Sequence, residues 1–124
     1  MIMIDTDVLI EIFDKKSTKG DDALEKIEQS NENIAITSIN LHEILYGLYK
    51  YSKTKISGLE QIETIEFARN DAKLSAEIEV QMEKKGQMVS RTDTMIAAIA
   101  INRRAKLFTY NKHHYQNIKH LQLF

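Results

Sequence analysis

The 124-residue chain has no cysteine, no proline and no tryptophan, and only four glycines. Without cysteine there is neither a disulfide framework nor a thiolate metal centre, in keeping with a reducing compartment. Without proline, helix ends must be set by capping side chains and by glycine or asparagine. The glycines, at positions 20, 47, 58 and 86, are too scattered for a phosphate-cradling loop. No serine sits in a nucleophile-elbow pattern. No apolar run reaches the ~18 residues that mark a spanning helix, so no membrane segment is expected. The opening residues lack a basic stretch, and Asp5 and Asp7 fall where a secretory signal would be apolar. A cytoplasmic location is the expectation.

What is present is ordinary for a globular domain. At 43% hydrophobic and 28% charged, the chain can bury one core, and its length suits a single domain over residues 1–124. The net charge of −1 hides an asymmetry. No acid follows Asp93, and Arg103, Arg104, Lys106, Lys112 and Lys119 give the last 31 residues a charge of +5, leaving −6 on the rest. A basic C-terminal part suits an anionic partner, and it suits solvated surface equally well.

Hydrophobic spacing predicts alternating strands and helices. Short apolar runs at 1–4, 34–37, 61–67, 106–109 and 121–124 read as strands. Helices are expected at 6–13, 21–30, 39–51, 68–85 (closed by Gly86) and 93–104, with a polar loop at 52–58. The helix at 93–104 carries Met95, Ile96, Ala97, Ala98, Ile99, Ala100 and Ile101 and should be buried over the centre of the sheet. Strands separated by helices imply βαβ units, a parallel sheet of four to five short strands and helices on both faces.

The informative residues are acids placed after strands. Asp5 and Asp7 follow the first strand, Glu43 lies early in the helix after the second, Asp93 opens the buried helix, and Asn111 follows the fourth strand. In an open parallel sheet the carboxyl ends of the strands form the ligand crevice. A few carboxylates with water oxygens suit Mg²⁺ or Mn²⁺. Each acid also has a structural job open to it. Asp5 can cap the first helix, Thr92 or Asp93 the fifth, and Asn40 with Glu43 fits a capping box. His113 and His114 are adjacent and should point apart, and no histidine pair has zinc-ligand spacing.

Four segments resemble those of PIN domains. These are Ile2-Met3-Ile4-Asp5-Thr6-Asp7-Val8-Leu9-Ile10; Ile36-Thr37-Ser38-Ile39-Asn40-Leu41-His42-Glu43; Asp93-Thr94-Met95-Ile96-Ala97-Ala98; and Leu107-Phe108-Thr109-Tyr110-Asn111-Lys112-His113-His114-Tyr115. Their order and spacing match across essentially the whole chain, and the size and closing Leu121-Gln122-Leu123 are similar to VapC-type toxins in particular. The resemblance implies a three-layer α/β/α fold and Mg²⁺- or Mn²⁺-dependent hydrolysis of RNA. It implies Asp5, Glu43 and Asp93 as metal carboxylates, Asn111 as holder of a coordinated water or the substrate, and Thr109 and Asp7 in support. Asn111 departs from the aspartate of many relatives, and a neutral amide weakens the case for a second tightly held ion. The segment after Tyr51 is short, so a helix common there in the family is expected to be missing.

The same resemblance implies a VapB-like antitoxin partner and a homodimer, assembling into a heterotetramer or larger. Leu9, Ile12 and Phe13 are candidates to receive the antitoxin, and Tyr46 and Tyr49 to lie between protomers. Lys112, Arg103, Arg104 and Lys106 are candidate phosphate contacts, and Tyr110 and Tyr115 can stack on a base or pack in the core. Two alternatives share the fold: a stand-alone PIN nuclease in RNA processing and an inactive PIN-like binding module. A receiver domain is discounted, because Thr37 and Phe67 stand where its phospho-accepting aspartate would be.

Overall fold

The computed structural model describes residues 1–53 and 56–124, so part of the expected 52–58 loop lies outside the described residues. The strands are β1 (Ile2–Ile4), β2 (Ile34–Thr37), β3 (Glu63–Ile65), β4 (Lys106–Phe108) and β5 (Gln122–Leu123). The helices are α1 (Thr6–Leu9), α2 (Thr18–Ser30), α3 (Ser38–Lys50), α4 (Arg69–Lys84), α5 (Arg91–Asn102) and the short α6 (Lys112–Tyr115), which periodicity had not suggested. The first helix continues past Leu9 as a wider, π-type turn over Ile10–Lys15, and a 3₁₀ turn at Leu59–Gln61 precedes β3.

All five strands are parallel, in the order β3-β2-β1-β4-β5. The strand alternation sorts the core into two. Ile2 and Ile4 face one way, with Ile36 and Phe108, against Val8, Leu9, Ile27, Ile44 and Leu48 of α1, α2 and α3. Met3 faces the other way, with Ala35 and Leu107, against Ile78 and Met82 of α4 and the apolar run of α5. The result is the expected three-layer α/β/α arrangement. Ile96, Ala97, Ala98, Ile99 and Ala100 are buried, and the small alanines let α5 lie close over β1, β2 and β4. Leu9 and Ile12 belong to the first core and are at most 9% exposed, so neither offers a surface to a partner as sequence reading expected.

Local chemistry sets the boundaries. Ser17 caps α2 by accepting the Gly20 N–H, so the helix begins at Thr18, three residues before the expected start at 21. Gly20 is required there, since a Cβ would sit 2.1 Å from the Glu11 carbonyl oxygen of the preceding turn. Asn31 in the left-handed region ends α2. Gly86 does so past α4 at φ 70°, as its position in the sequence predicted. Among the described residues no helix is long and apolar enough to cross a membrane.

Candidate active site

The carboxyl ends of β1, β2 and β4 lie side by side at the centre of the sheet, and the chain turns into a helix immediately after each of the first two. Asp5 leaves β1 and caps α1, its Oδ1 accepting the Thr6 N–H at 2.9 Å. It is 7% exposed. Capping and site membership, posed as alternatives by sequence, are combined in this one residue. Asp7 lies in the first turn of α1. The Thr109 hydroxyl is 2.8 Å from Asp5 Oδ2 and 3.5 Å from Asp7 Oδ2, and the Tyr110 N–H donates to Asp7 Oδ2 at 3.1 Å.

The helix after β2 is capped one turn earlier than expected. Thr37 and Asn40 form the capping box, with the Asn40 N–H donating to Thr37 Oγ1 and the Thr37 N–H to Asn40 Oδ1, each at 3.1 Å. Glu43, expected as a box partner, is thereby left free for other contacts. Asn40 is fully buried, and its Nδ2 donates to Asp5 Oδ1 at 3.1 Å and to Thr6 Oγ1 at 3.0 Å. The Thr6 hydroxyl in turn donates to Glu43 Oε1 at 2.8 Å. Sequence reading missed Thr6 and the buried role of Asn40, although the Thr37-x-x-Asn40 spacing after a strand carried the signal.

The third element is α5. Ser90, rather than Thr92 or Asp93, is its cap, accepting the Asp93 N–H at 3.1 Å. Asp93 is thus the third helical residue, pointing toward α6. Tyr115 joins the two halves of the site. Only 1% exposed, its hydroxyl donates to Asp93 Oδ1 at 2.9 Å and lies 3.4 Å from Asp5 Oδ2. No sequence signal marks this contact, and the burial leaves no face of Tyr115 for stacking on a base.

The electrostatics follow from this crowding. Burial raises Asp5 from 3.8 to about 6 against the lowering effect of the Thr109 hydrogen bond, and the charges of Asp7 and Asp93 add to the rise. Asp7 and Glu43 are likewise raised, by burial first, and Glu43 further by Asp93 and Asp7. Burial and the charges of Asp5 and Asp93 push the Tyr115 phenol up, so it stays a neutral donor. Among the described residues the sole side chain within ion-pair reach of the four acids is His114, its Nδ1 3.5 Å from Asp93 Oδ2. The His113 and His114 rings do not diverge but meet edge to face at 4.3 Å.

Other expected site residues are placed differently. Asn111 is exposed, and it is its backbone N–H that joins the network, donating to Thr109 Oγ1 at 3.1 Å. Lys112 is exposed beside it. Arg103 and Arg104 follow the far end of α5, about 15 Å from Asp93 at about 1.5 Å per residue, and so do not join the site. Lys106 opens β4 and pairs with Glu32 at 2.8 Å, also at the opposite edge. A lysine not singled out by sequence, Lys19, lies 3.8 Å over the Tyr110 ring, and its charge opposes part of the burial-driven rise in the Asp7 pKa.

Hydrogen-bonded carboxylates at the ends of β1 and β2 and the start of α5, on this sheet order, define the class. The chain belongs to the PIN domain family, whose model matches residues 2–120. Among individual proteins, it is 30% identical to ribonuclease VapC2 of Rickettsia felis, over 98% of this chain and 94% of that protein. It is 27% identical to ribonuclease VapC1 of Methanocaldococcus jannaschii, over 98% and 84%. The crystal structure of VapBC2 from Rickettsia felis, bound to a DNA fragment from their promoter, superposes with a TM-score of 0.80 at 29% identity, covering all of this chain and 98% of that one.

Proposed function

We propose that this protein is a divalent-metal-dependent endoribonuclease and the toxin of a type II toxin–antitoxin pair. The observation that carries the proposal is four acids, Asp5, Asp7, Glu43 and Asp93, gathered at one end of the sheet, with Asp7 and Asp93 adding to the charge cost of Asp5 and Glu43, where no lysine or arginine among the described residues pairs with them. The similarity to two VapC ribonucleases over nearly the full chain supports the activity. The likeness to a VapBC complex supports a VapB-like antitoxin as partner.

The donor set fits Mg²⁺ or Mn²⁺. It is all oxygen, anionic and cysteine-free, which selects hard divalent ions. Among the described residues no three acids or histidines are already drawn into a metal-binding group. Mg²⁺ does not need that, since it keeps several waters and is commonly held by one or two carboxylates. Asp5 and Asp93 would hold the ion, and Glu43 would ligate it or orient the attacking water. A bound ion supplies charge stabilisation at the phosphate and activation of water.

The chain's own residues do the rest. Thr109, Asn40 and the Thr6 N–H fix both oxygens of Asp5, and Tyr115 fixes Asp93, as outer partners orient ligands. Glu43 is held through one oxygen by Thr6, leaving Oε2 without a hydrogen bond among the described residues. Burial raises its pKa, which makes it a stronger base toward water than an exposed glutamate. Asn111, beside Thr109, would contact the substrate. The homodimer expected from the family would assemble with the antitoxin into a heterotetramer or larger.

The test is cleavage of RNA with Mg²⁺ or Mn²⁺ by the wild type, Asp5→Asn and Asp93→Asn. Loss in both variants and in EDTA is expected, while equal, EDTA-resistant activity in all three refutes the site. Growth arrest on expression, relieved by the product of an adjacent gene, tests the toxin role.

A further inference from the structure

We infer that a subsite for one unpaired nucleotide of the RNA flanks the carboxylates, between α2 and the end of β4. The inference rests on the nuclease reading above and adds where and how the substrate is held. A cavity of about 620 Å³ opens there, within the ~300–1,000 Å³ typical of small-ligand pockets. Phe108, Tyr110 and Phe124 form an aromatic wall, with Phe108 5.0 Å from Phe124 and 6.0 Å, edge-on, from Tyr110. Phe108 is buried while Tyr110 and Phe124 keep part of their surface open. Lys26 and Lys112 line the same cavity, are exposed, and make no ion pair among the described residues. No acid lines it.

This combination fixes the ligand's chemistry. Aromatic surface takes a flat ring, whatever the base, and the two lysines take an anion. A nucleotide brings both on one unit. An apolar peptide would cover the wall and leave both cations without a partner. The position fixes the register. Thr109 lines the cavity and donates to Asp5, and Tyr110 lines it while its N–H donates to Asp7. A nucleotide in the cavity therefore neighbours the phosphodiester presented to the acids, and a single-stranded substrate is selected, since a paired base has no free face to offer.

The experiment is fluorescence anisotropy in EDTA with a labelled single-stranded oligoribonucleotide and a series in which one base at a time is replaced by an abasic ribose. Wild-type affinity is expected to fall about tenfold at one position only, within the range of base–aromatic contacts. Phe124→Ser should weaken binding of the intact RNA by a like factor and be indifferent to that abasic position. Lys112→Glu, at an exposed site that leaves the fold intact, should weaken binding of every RNA and flatten its salt dependence by about one ion. Uniform losses along the series, or unchanged RNA affinity in both variants, overturn the subsite, the more so if an apolar peptide competes for the cavity. Cleavage of the same RNAs with Mn²⁺ reads the parent proposal separately. Cleavage without the position effect sinks the subsite alone, and the position effect without cleavage sinks the nuclease reading alone.

Discussion

Replacing Asp5 with asparagine should make the protein more stable, and the gain should grow with pH. A carboxyl whose pKa rises on folding binds its proton more firmly in the fold than in the unfolded chain. Stability is therefore lost as pH climbs from 3.8 through about 6 and is level above that. A rise from 3.8 to about 6 amounts to about 3 kcal/mol at neutral pH, sizeable against a typical ~5–15 kcal/mol total. Most of this, about 2 kcal/mol, develops between about pH 4.5 and about pH 7.5. The amide replaces one acceptor with a donor. Oδ2 faces two hydroxyls, those of Thr109 and Tyr115, and hydroxyls can turn to accept, so the rearrangement costs about 1 kcal/mol. That cost is the same at both pH values, so comparing the two isolates the charge. The assay is urea unfolding of wild type and Asp5→Asn in EDTA at both pH values. An advantage of Asp5→Asn that widens by about 2 kcal/mol toward pH 7.5 is expected. A difference independent of pH would refute the reasoning. Added Mg²⁺ or Mn²⁺ should stabilise the wild type at pH 7.5 and leave Asp5→Asn nearly unchanged.

Tyr115→Phe removes the hydroxyl that holds Asp93 and should lower RNA cleavage about 10- to 100-fold with near-UV dichroism unchanged; full activity would show that Asp93 is positioned without it. Gly20→Ala drives a Cβ to 2.1 Å from the Glu11 carbonyl oxygen and should cost about 3 kcal/mol in urea unfolding; a cost below about 0.5 kcal/mol would mean that α2 shifts freely. Tyr46 and Tyr49 are 61% and 65% exposed on α3. Replacing both with lysine should leave the melting temperature of the protomer unchanged and convert a dimer to monomer by light scattering, and a dimer that persists places the contact elsewhere.

The layers were legible because apolar spacing is a direct record of burial. The α5 run from Ile96 to Ala100 could only be a covered helix, and Asp5 and Glu43 stood out as acids after buried strands, Asp93 as the acid opening that apolar helix. What the sequence hid was set by single hydrogen bonds. Ser17, Thr37 and Ser90 moved three helix starts by one to a few residues, which decided that Glu43 is free and Asp93 internal to its helix. Asp7 takes its place from the helix that starts at Thr6, because β1 ends at Ile4. Arg103 and Arg104 looked relevant as a charge cluster, yet charge carries no direction, and the helix between them and Asp93 sends them to the opposite edge. Tyr115 is distant in sequence from Asp5 and next to nothing apolar, so only the tertiary fold brings it in.

The way the fold tolerates its acids bears on what they are for. A buried carboxylate can be offset by a cation, by helix N-termini or by neutral donors. Here Asp5, Asp7 and Asp93 lie at or within the first turn of helices, where the backbone field favours negative charge. The donors that reach the acids are threonine and tyrosine hydroxyls, an asparagine amide and backbone N–H groups. A lysine in place of any of them would neutralise the pocket and fill the space a ligand needs. Neutral donors instead fix the geometry while leaving the negative charge in place; burial raises the pKa values of Asp5, Asp7 and Glu43, and neighbouring acids raise those of Asp5 and Glu43 further. An arrangement built only for stability would have relieved that charge, whereas a site that must attract a divalent cation has reason to keep it.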